Sequence, residues 1–363
     1  MKILMPYCTR SGITIDNSRI LGGLEKFAQN IYKNIDAEII PLHYTEEDRK
    51  RHLVTNMVVQ EAMKQNVDFI LSNYENETLT LNVQARLPEI PIMWISHSCA
   101  GGIGRIGQME SMREFVENGG TLFMMSENQY NGLEKASRRI HGKGIILNGG
   151  YINSAFCTGD EAPSEIEYDA VTIGRLNKEK QPFWIHRRGY KHKKRTLVMT
   201  SNVEEFMTDI AKDYYSKHLH WVYPQETLYN LSHAENMSYL AKGACYVSTH
   251  PRESWGITAL EALSHGIPLF LKCDMTGIHS SECIPASPDH YKKAIASQVD
   301  ADIFADICDH FKSYSMDQRH EISGMTKEKH TREKWKSSIM NAIDKTIENH
   351  KKHTRTSLMD FIT

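Results

Sequence analysis

No apolar run in the sequence reaches 18 residues, so no stretch reads as a membrane-spanning helix. There is no Cys-x-x-Cys pair and no tight Cys/His cluster. The seven cysteines stand apart at 8, 99, 157, 245, 273, 283 and 308, which points to reduced thiols in a cytoplasmic setting and away from a zinc site. The opening MKILMPYCTR has too short an apolar part for a signal peptide and reads as a buried first strand. Glycine (22) and proline (11) recur without period, which excludes a fibrous repeat. Charge of one sign is lacking too: 43 Lys+Arg against 45 Asp+Glu leave a net charge of −2, so any grip on a polyanion must come from a local patch. The 18 histidines would add positive charge if the pH fell.

The 363 residues, 40% of them hydrophobic, suffice for about two folded domains. Short apolar runs alternate with amphipathic helical segments. Lys2–Pro6, Ala37–Leu42, Val67–Ser72, Ile92–Ile95, Thr121–Met125 and Gly144–Leu147 read as strands. Leu24, Phe27, Ile31 and Ile35 fall at helical spacing. A polar, acidic stretch, Thr158–Tyr168, reads as a linker. Beyond it the alternation restarts, with strands expected at Asp169–Ile173, Thr196–Thr200, His218–Val222, Ala244–Ser248 and Ile267–Leu271, then a charged helical tail. This pattern implies parallel sheets covered by helices on both faces, in two α/β domains with a ligand cleft between them.

Three stretches carry chemistry. In HPRESWGITALEALSHGIPLFL (His250–Leu271), seven residues separate Glu253 from Glu261, and Gly256 stands where a helix would follow a strand. The free N–H groups and dipole of such a helix start suit a phosphate, and Glu261 could accept ribose hydroxyls. In VTIGRLNKEKQ (Val171–Gln181) a strand delivers Gly174 and Arg175 to a loop that also holds Lys180, two cations able to neutralise a diphosphate without metal. In LGGLEKFAQNIYKNI (Leu21–Ile35), Gly22 and Gly23 open a helix and let backbone approach a ligand closely. Each has a plainer reading: an ordinary strand–helix–strand with solvated acids, a charged helical turn, a loop-to-helix transition. Spacing alone leaves both open.

In this order the three stretches resemble the retaining nucleotide-sugar glycosyltransferases of family 4, with their E-x7-E motif, GR…K pair and GG-x-E opening. Leu147–Phe156 (LNGGYINSAF) is similar to a further family segment, departing from it by one extra residue and by Asn153 in place of Asp. Trp221–Ala234 is similar to the segment that approaches the nucleotide base. The resemblance implies the GT-B architecture: residues 1–157 as an N-terminal Rossmann-like acceptor-side domain, 158–335 as the nucleotide-sugar domain, and 336–363 as a C-terminal helix packing back on the first domain. It implies transfer of a sugar from a nucleotide-sugar donor, a UDP-sugar, with retention of anomeric configuration. Arg175 and Lys180 would hold the diphosphate. Gly256, Ile257 and Thr258 would meet the distal phosphate by backbone, Glu253 the sugar hydroxyls and Glu261 the ribose. Gly22 and Gly23 would cover the phosphates and Val222 would line the base site. His97, in MWISHSCAGG, matches a histidine near the sugar, beside the plainer reading of a structural loop histidine.

Two competing motifs carry less. GIGRIG (Gly102–Gly107) fits a dinucleotide-binding pattern but follows a late strand, and reads better as an acceptor-side loop that includes Arg105. Asp300-Ala301-Asp302 matches a metal-binding DxD but opens a C-terminal helix, so it reads as a solvated helix start and no essential metal is expected. The acceptor is the least legible part. Basic stretches lie at His186–Arg195 and at Thr326–Thr356, the latter with nine Lys/Arg against four Asp/Glu. They suit a polyanion or an anionic membrane surface, beside the plainer reading of solvated faces. GIPLFLK (Gly266–Lys272), and the lack of a GxG after TLVMTS, are faintly similar to phage enzymes that glycosylate hydroxymethylcytosine in DNA. That likeness makes duplex DNA the leading acceptor, with Arg105, Arg187, Arg188 and Lys193 as candidate contacts and the host cytoplasm as the setting. A polysaccharide, lipopolysaccharide or small molecule is the alternative acceptor, and a nucleotide-sugar-binding protein without turnover is the non-enzyme reading.

Overall fold

Strands buried on both faces need helices above and below, and the chain supplies them twice. The computed structural model describes residues 1–9, 15, 23–45, 47–48, 52–73, 77–97, 106–174, 182–200, 225–248, 256–271 and 301–362. They form two units, Met1–Ala155 with Glu333–Thr363, and Phe156–Arg332.

In the first unit the elements run β1 (Lys2–Thr9), α1 (Gly23–Asn34), β2 (Glu38–Thr45), α2 (Val54–Gln65), β3 (Phe69–Ser72), α3 (Glu77–Arg86), β4 (Ile92–Ser96), α4 (Ile106–Glu117), β5 (Thr121–Met124), α5 (Glu127–His141) and β6 (Gly150–Tyr151). The sheet is parallel throughout, in the order β2-β1-β3-β4-β5-β6. Trp94 and Phe115, edge to face at 5.5 Å, sit in a core with Val58, Ile70, Met112 and Leu122.

The expected strand Gly144–Leu147 is absent, and the edge strand forms three residues after it, at Gly150–Tyr151. The Asn148 side chain explains the shift. Its Oδ1 accepts from the Leu122 N–H (2.9 Å) and its Nδ2 donates to the Gly120 carbonyl (2.8 Å), so a side chain holds those backbone groups until the chain enters the ladder. Gly149 follows, where a Cβ would lie 2.4 Å from the Leu122 carbonyl oxygen.

In the second unit come β7 (Ala170–Ile173), α6 (Trp184–Gly189), β8 (Thr196–Thr200), β9 (Gln225–Tyr229), α7 (His233–Leu240), β10 (Tyr246–Ser248), α8 (Ile257–Ser264), β11 (Leu269–Leu271), α9 (Ala301–Lys312) and α10 (Met316–Lys329). This sheet is parallel in the order β11-β10-β7-β8-β9. The strand expected at His218–Val222 falls outside the described residues, and the third strand of this sheet lies at Gln225–Tyr229, after Pro224. The stretch read as a linker, Thr158–Tyr168, belongs to this unit. Glu161 accepts from the Thr158 and Gly159 N–H groups (both 2.8 Å), Lys327 of α10 donates to the Glu161 carbonyl, and Tyr168 bridges to Gly243.

α11 (Arg332–Ile362) carries the C-terminal residues onto the first unit. Trp335, Ile339, Ala342, Ile343 and Thr346 are buried at helical spacing, one apolar stripe. Trp335 Nε1 donates to the Asn153 carbonyl at 3.0 Å and Lys345 Nζ to the Gly149 carbonyl at 2.5 Å. In its described part, the LNGGYINSAF segment is thus an edge strand and a seat for α11. No helix among the described residues is long and apolar enough to cross a membrane. Cys157, Cys245 and Cys308 are buried free thiols.

Candidate functional site

In open parallel sheets, ligands gather outside the carboxyl ends of the strands where strand order reverses. Each unit has one such place. In the second it lies between β7 and β10, whose carboxyl ends are Ile173 and Ser248. The chain beyond β7 passes through Gly174 toward Arg175 and Lys180. The chain beyond β10 passes through Glu253 and re-enters the described residues at Gly256. Arg175, Lys180, Glu253, Gly22, Val222 and Arg105 all lie outside the described residues.

Gly256 is the N-cap of α8 with φ 87° and ψ 59°, a left-handed conformation that an L side chain resists. No side chain caps this helix. Its first backbone bonds run from Ala259 and Leu260 to the Gly256 carbonyl (3.0 and 3.1 Å), so helix geometry leaves the Gly256, Ile257 and Thr258 N–H groups facing out of the helix start. Glu261 stands one turn on, its side chain 16% exposed and 3.9 Å from His233 Nε2.

The far end of α8 is anchored by α10. Ser323 Oγ donates to the Ser264 carbonyl (2.6 Å). Arg319, fully buried, donates to the carbonyls of Gly243 and Ala244 (3.2 and 3.1 Å) just before β10. Gly266 (φ 73°) lets the chain turn beneath it, where a Cβ would sit 2.3 Å from the Arg319 carbonyl oxygen.

In the first unit the reversal lies between β1 and β3. Gly23 opens α1 beyond β1. Next to β3 stands β4, with His97 just past its carboxyl end. His97 Nε2 bonds Asn73 Oδ1 at 2.5 Å, and its ring meets Phe27 of α1 edge to face at 5.3 Å. Phe27 in turn meets Trp335 at 6.3 Å. Gln129 Nε2 donates to the Ser96 carbonyl at 3.0 Å and fixes the strand end that carries His97. Loss of solvation lowers the His97 pKa to about 3, so the imidazole is neutral at pH 7. The sequence reading missed Asn73 and Gln129, and gave Phe27 only as an apolar position of a helix. Asn73 directly follows an expected strand, the position from which a side chain reaches a sheet's carboxyl edge.

Of the candidate acceptor contacts, Arg187, Arg188 and Lys193 lie in a basic stretch of the second unit. Lys191 and His192 both bond Asp302 (2.7 and 2.6 Å), and Lys194 bonds Asp309. Arg195 lies over the Tyr168 ring at 4.6 Å and Arg188 over Trp184 at 5.4 Å. Most of the basic stretch is therefore engaged by its own unit, and Arg187, Lys191, His192, Lys193 and Arg195 all expose surface. Asp302, half of the DxD, is a partner for two of these cations. Among the described residues no three His, Cys, Asp or Glu side chains gather as a metal site.

No family model matches the chain, and no curated protein does. Solved structures do. The Anabaena protein HepE in complex with UDP-glucose is 12% identical over 95% of this chain and 99% of that one, with a TM-score of 0.64. The α,α-trehalose-6-phosphate synthase of Burkholderia multivorans is 10% identical over 95% and 98%, also at 0.64. The pneumococcal O-GlcNAc transferase GtfA in complex with UDP and GlcNAc is 12% identical over 80% and 60%, at 0.54. At these identities the likeness is one of fold: two parallel-sheet α/β units and a C-terminal helix in the GT-B arrangement of elements.

Proposed function

We propose that this protein is a nucleotide-sugar-dependent glycosyltransferase that takes a UDP-sugar and retains the anomeric configuration. The observation that carries the reading is Gly256: a left-handed glycine opens an uncapped helix at the strand-order reversal of the second unit, with Glu261 one turn on. Solved structures of this fold hold UDP-glucose in one case and UDP with GlcNAc in another, which supports the same donor class.

In this reading the Gly256–Thr258 N–H groups take the distal phosphate of the donor. Arg175 and Lys180 bind the diphosphate and stabilise the charge that grows on it as the sugar leaves. Glu261 accepts the ribose hydroxyls, Glu253 the sugar hydroxyls, and Val222 lines the base site. Gly22 and Gly23 cover the phosphates by backbone, and His97 meets the sugar. The bond from the anomeric carbon to the phosphate oxygen breaks, and a bond to the acceptor oxygen forms on the same face. The acceptor proton passes to the leaving phosphate. With Arg175 and Lys180 carrying the countercharge, turnover needs no metal, and a chelator leaves it unchanged.

The acceptor proposed from the sequence is the hydroxymethyl group of hydroxymethylcytosine in duplex DNA, supported by the exposed Arg187 and Lys193. Affinity for duplex DNA should then fall steeply with salt. The test is incubation with a panel of nucleotide sugars and either hydroxymethylcytosine DNA or glycans, read by mass and by the anomeric coupling of the product. Release of UDP with an α-linked product from an α-linked donor supports the reading. An inverted product defeats retention, a salt-independent DNA affinity defeats the DNA acceptor, and no nucleoside diphosphate from any donor defeats the enzyme.

A further inference from the structure

Two buried-side histidines of this protein hold their rings differently. His186 of α6, in the second unit, bonds Thr196 Oγ1 through Nδ1 (2.7 Å) and Thr227 Oγ1 through Nε2 (3.1 Å). Both nitrogens are used to tie α6 to β8 and β9, which is what a structural histidine needs. His97 has Asn73 at Nε2 and Phe27 at the ring edge, and no hydrogen-bond partner at Nδ1 among the described residues.

The Asn73 side chain is 2% exposed and follows β3 at the carboxyl edge of the sheet. Its carboxamide oxygen has no proton to give, so the Nε2···Oδ1 bond requires the proton on Nε2. A neutral imidazole with Nε2–H has a lone pair at Nδ1. The ring is kept neutral by loss of solvation, with no charged group among the described residues entering as a cause. Behind it, Phe27 is fully buried and backed by Trp335, itself tied to the Asn153 carbonyl, so the ring cannot easily swing away.

We propose that Asn73 is a positioning residue for sugar recognition: by accepting the hydrogen bond from Nε2–H it fixes the His97 tautomer and leaves Nδ1 as a hydrogen-bond acceptor for a hydroxyl of the donor sugar. The inference rests on the reading of this edge as part of a nucleotide-sugar site. A carboxylate in place of the carboxamide would change the chemistry rather than merely remove it. Asn73→Asp places a negative charge beside Nε2, favours the imidazolium, and turns Nδ1 from acceptor into donor.

The test uses the full chain, UDP-glucose and UDP. Asn73→Ala is expected to lower kcat/KM for UDP-glucose by about tenfold, the worth of one hydrogen bond of ordinary strength, with UDP affinity unchanged because UDP lacks the transferred glucose. Asn73→Asp is expected to give a turnover that rises with pH between about 5 and 8 as the imidazolium loses its proton, a limb absent from the native enzyme. Long-range proton–nitrogen correlation spectra of the native protein should show His97 protonated at Nε2 and bare at Nδ1. A protonated Nδ1, or a native kcat/KM and pH profile in both variants, overturns the assignment. The spectrum reads the tautomer without turnover. A native enzyme inert toward every nucleotide sugar therefore defeats the proposed function, and only the spectrum or the variants defeat the role of Asn73. If Asn73→Asp does not fold, the native spectrum still decides.

Discussion

Each sheet reverses its strand order once, and the two reversals are built from different materials. At the second unit's, the described groups are mainly backbone, a left-handed Gly256 and the N–H groups of Ile257 and Thr258, with the Glu261 carboxylate one turn on. At the first unit's they are side chains stacked in a line, Asn73 to His97 to Phe27 to Trp335. On the proposed function, backbone amides suit an anion that is the same in every donor, since they cannot vary with sequence. Packed side chains suit the part that differs, a sugar and its acceptor. The contrast says where specificity would be altered by evolution or by design, and where it would not.

The comparison can be broken first at Phe27. Its truncation to Ala removes a fully buried ring and the support of His97, and should cost about 4 kcal/mol of stability in urea titration. A loss below about 1 kcal/mol would mean that the side-chain line is not packed as described. In the second unit, at the far end of α8, Gly266→Ala meets both a positive φ and the Arg319 carbonyl, and should cost about 3 kcal/mol in the same assay. A neutral outcome would show that α8 is not held against α10.

Acid sharpens the comparison because each unit holds a strongly desolvated histidine, His97 in the first and His186 in the second. Burial lowers His186 to about 4 and His97 to about 3. Below the ordinary histidine range the unfolded chain binds protons that the folded chain refuses, so stability falls as pH drops from about 6.5 toward those values, by at most about 1.4 kcal/mol per pH unit for each ring. Above about pH 7 the contribution is flat. His186→Asn should remove part of that slope in pH-dependent denaturation, and an unchanged slope would contradict the burial argument. The smallest effect is Gly256→Ala, about 1 kcal/mol of stability from a left-handed alanine. Its UDP affinity should nevertheless fall about tenfold if, as proposed, the same turn aims the amides that take the phosphate. A native affinity would separate α8 from the phosphate.

Much of this was legible before any coordinates. Lys2–Pro6, Ile92–Ile95 and Thr196–Thr200 are dense in apolar residues and buried on both faces, and each lies in the expected sheet. The helix start at Gly256 was legible because a glycine between a strand and an apolar helical repeat has few other uses. The Gly144–Leu147 misreading has the opposite cause: periodicity counts apolar residues and is blind to the Asn148 side chain that stands in for a ladder bond. The basic stretch is only half legible for a similar reason. Composition reports Lys191, His192 and Lys194 as a cationic patch, but their acids, Asp302 and Asp309, come more than a hundred residues later. Asn73 was invisible for the same reason, since its partner is 24 residues away.

The central claim is that the second unit's reversal binds a nucleotide-sugar diphosphate and the chain turns it over. UDP release from UDP-glucose by the native protein, set beside Arg175→Ala and Lys180→Ala, tests it most directly. The account predicts measurable release by the native protein, and a fall of about 10²–10³-fold in either variant. No release from UDP-glucose or any other nucleotide sugar, or equal release by native protein and both variants, would contradict it.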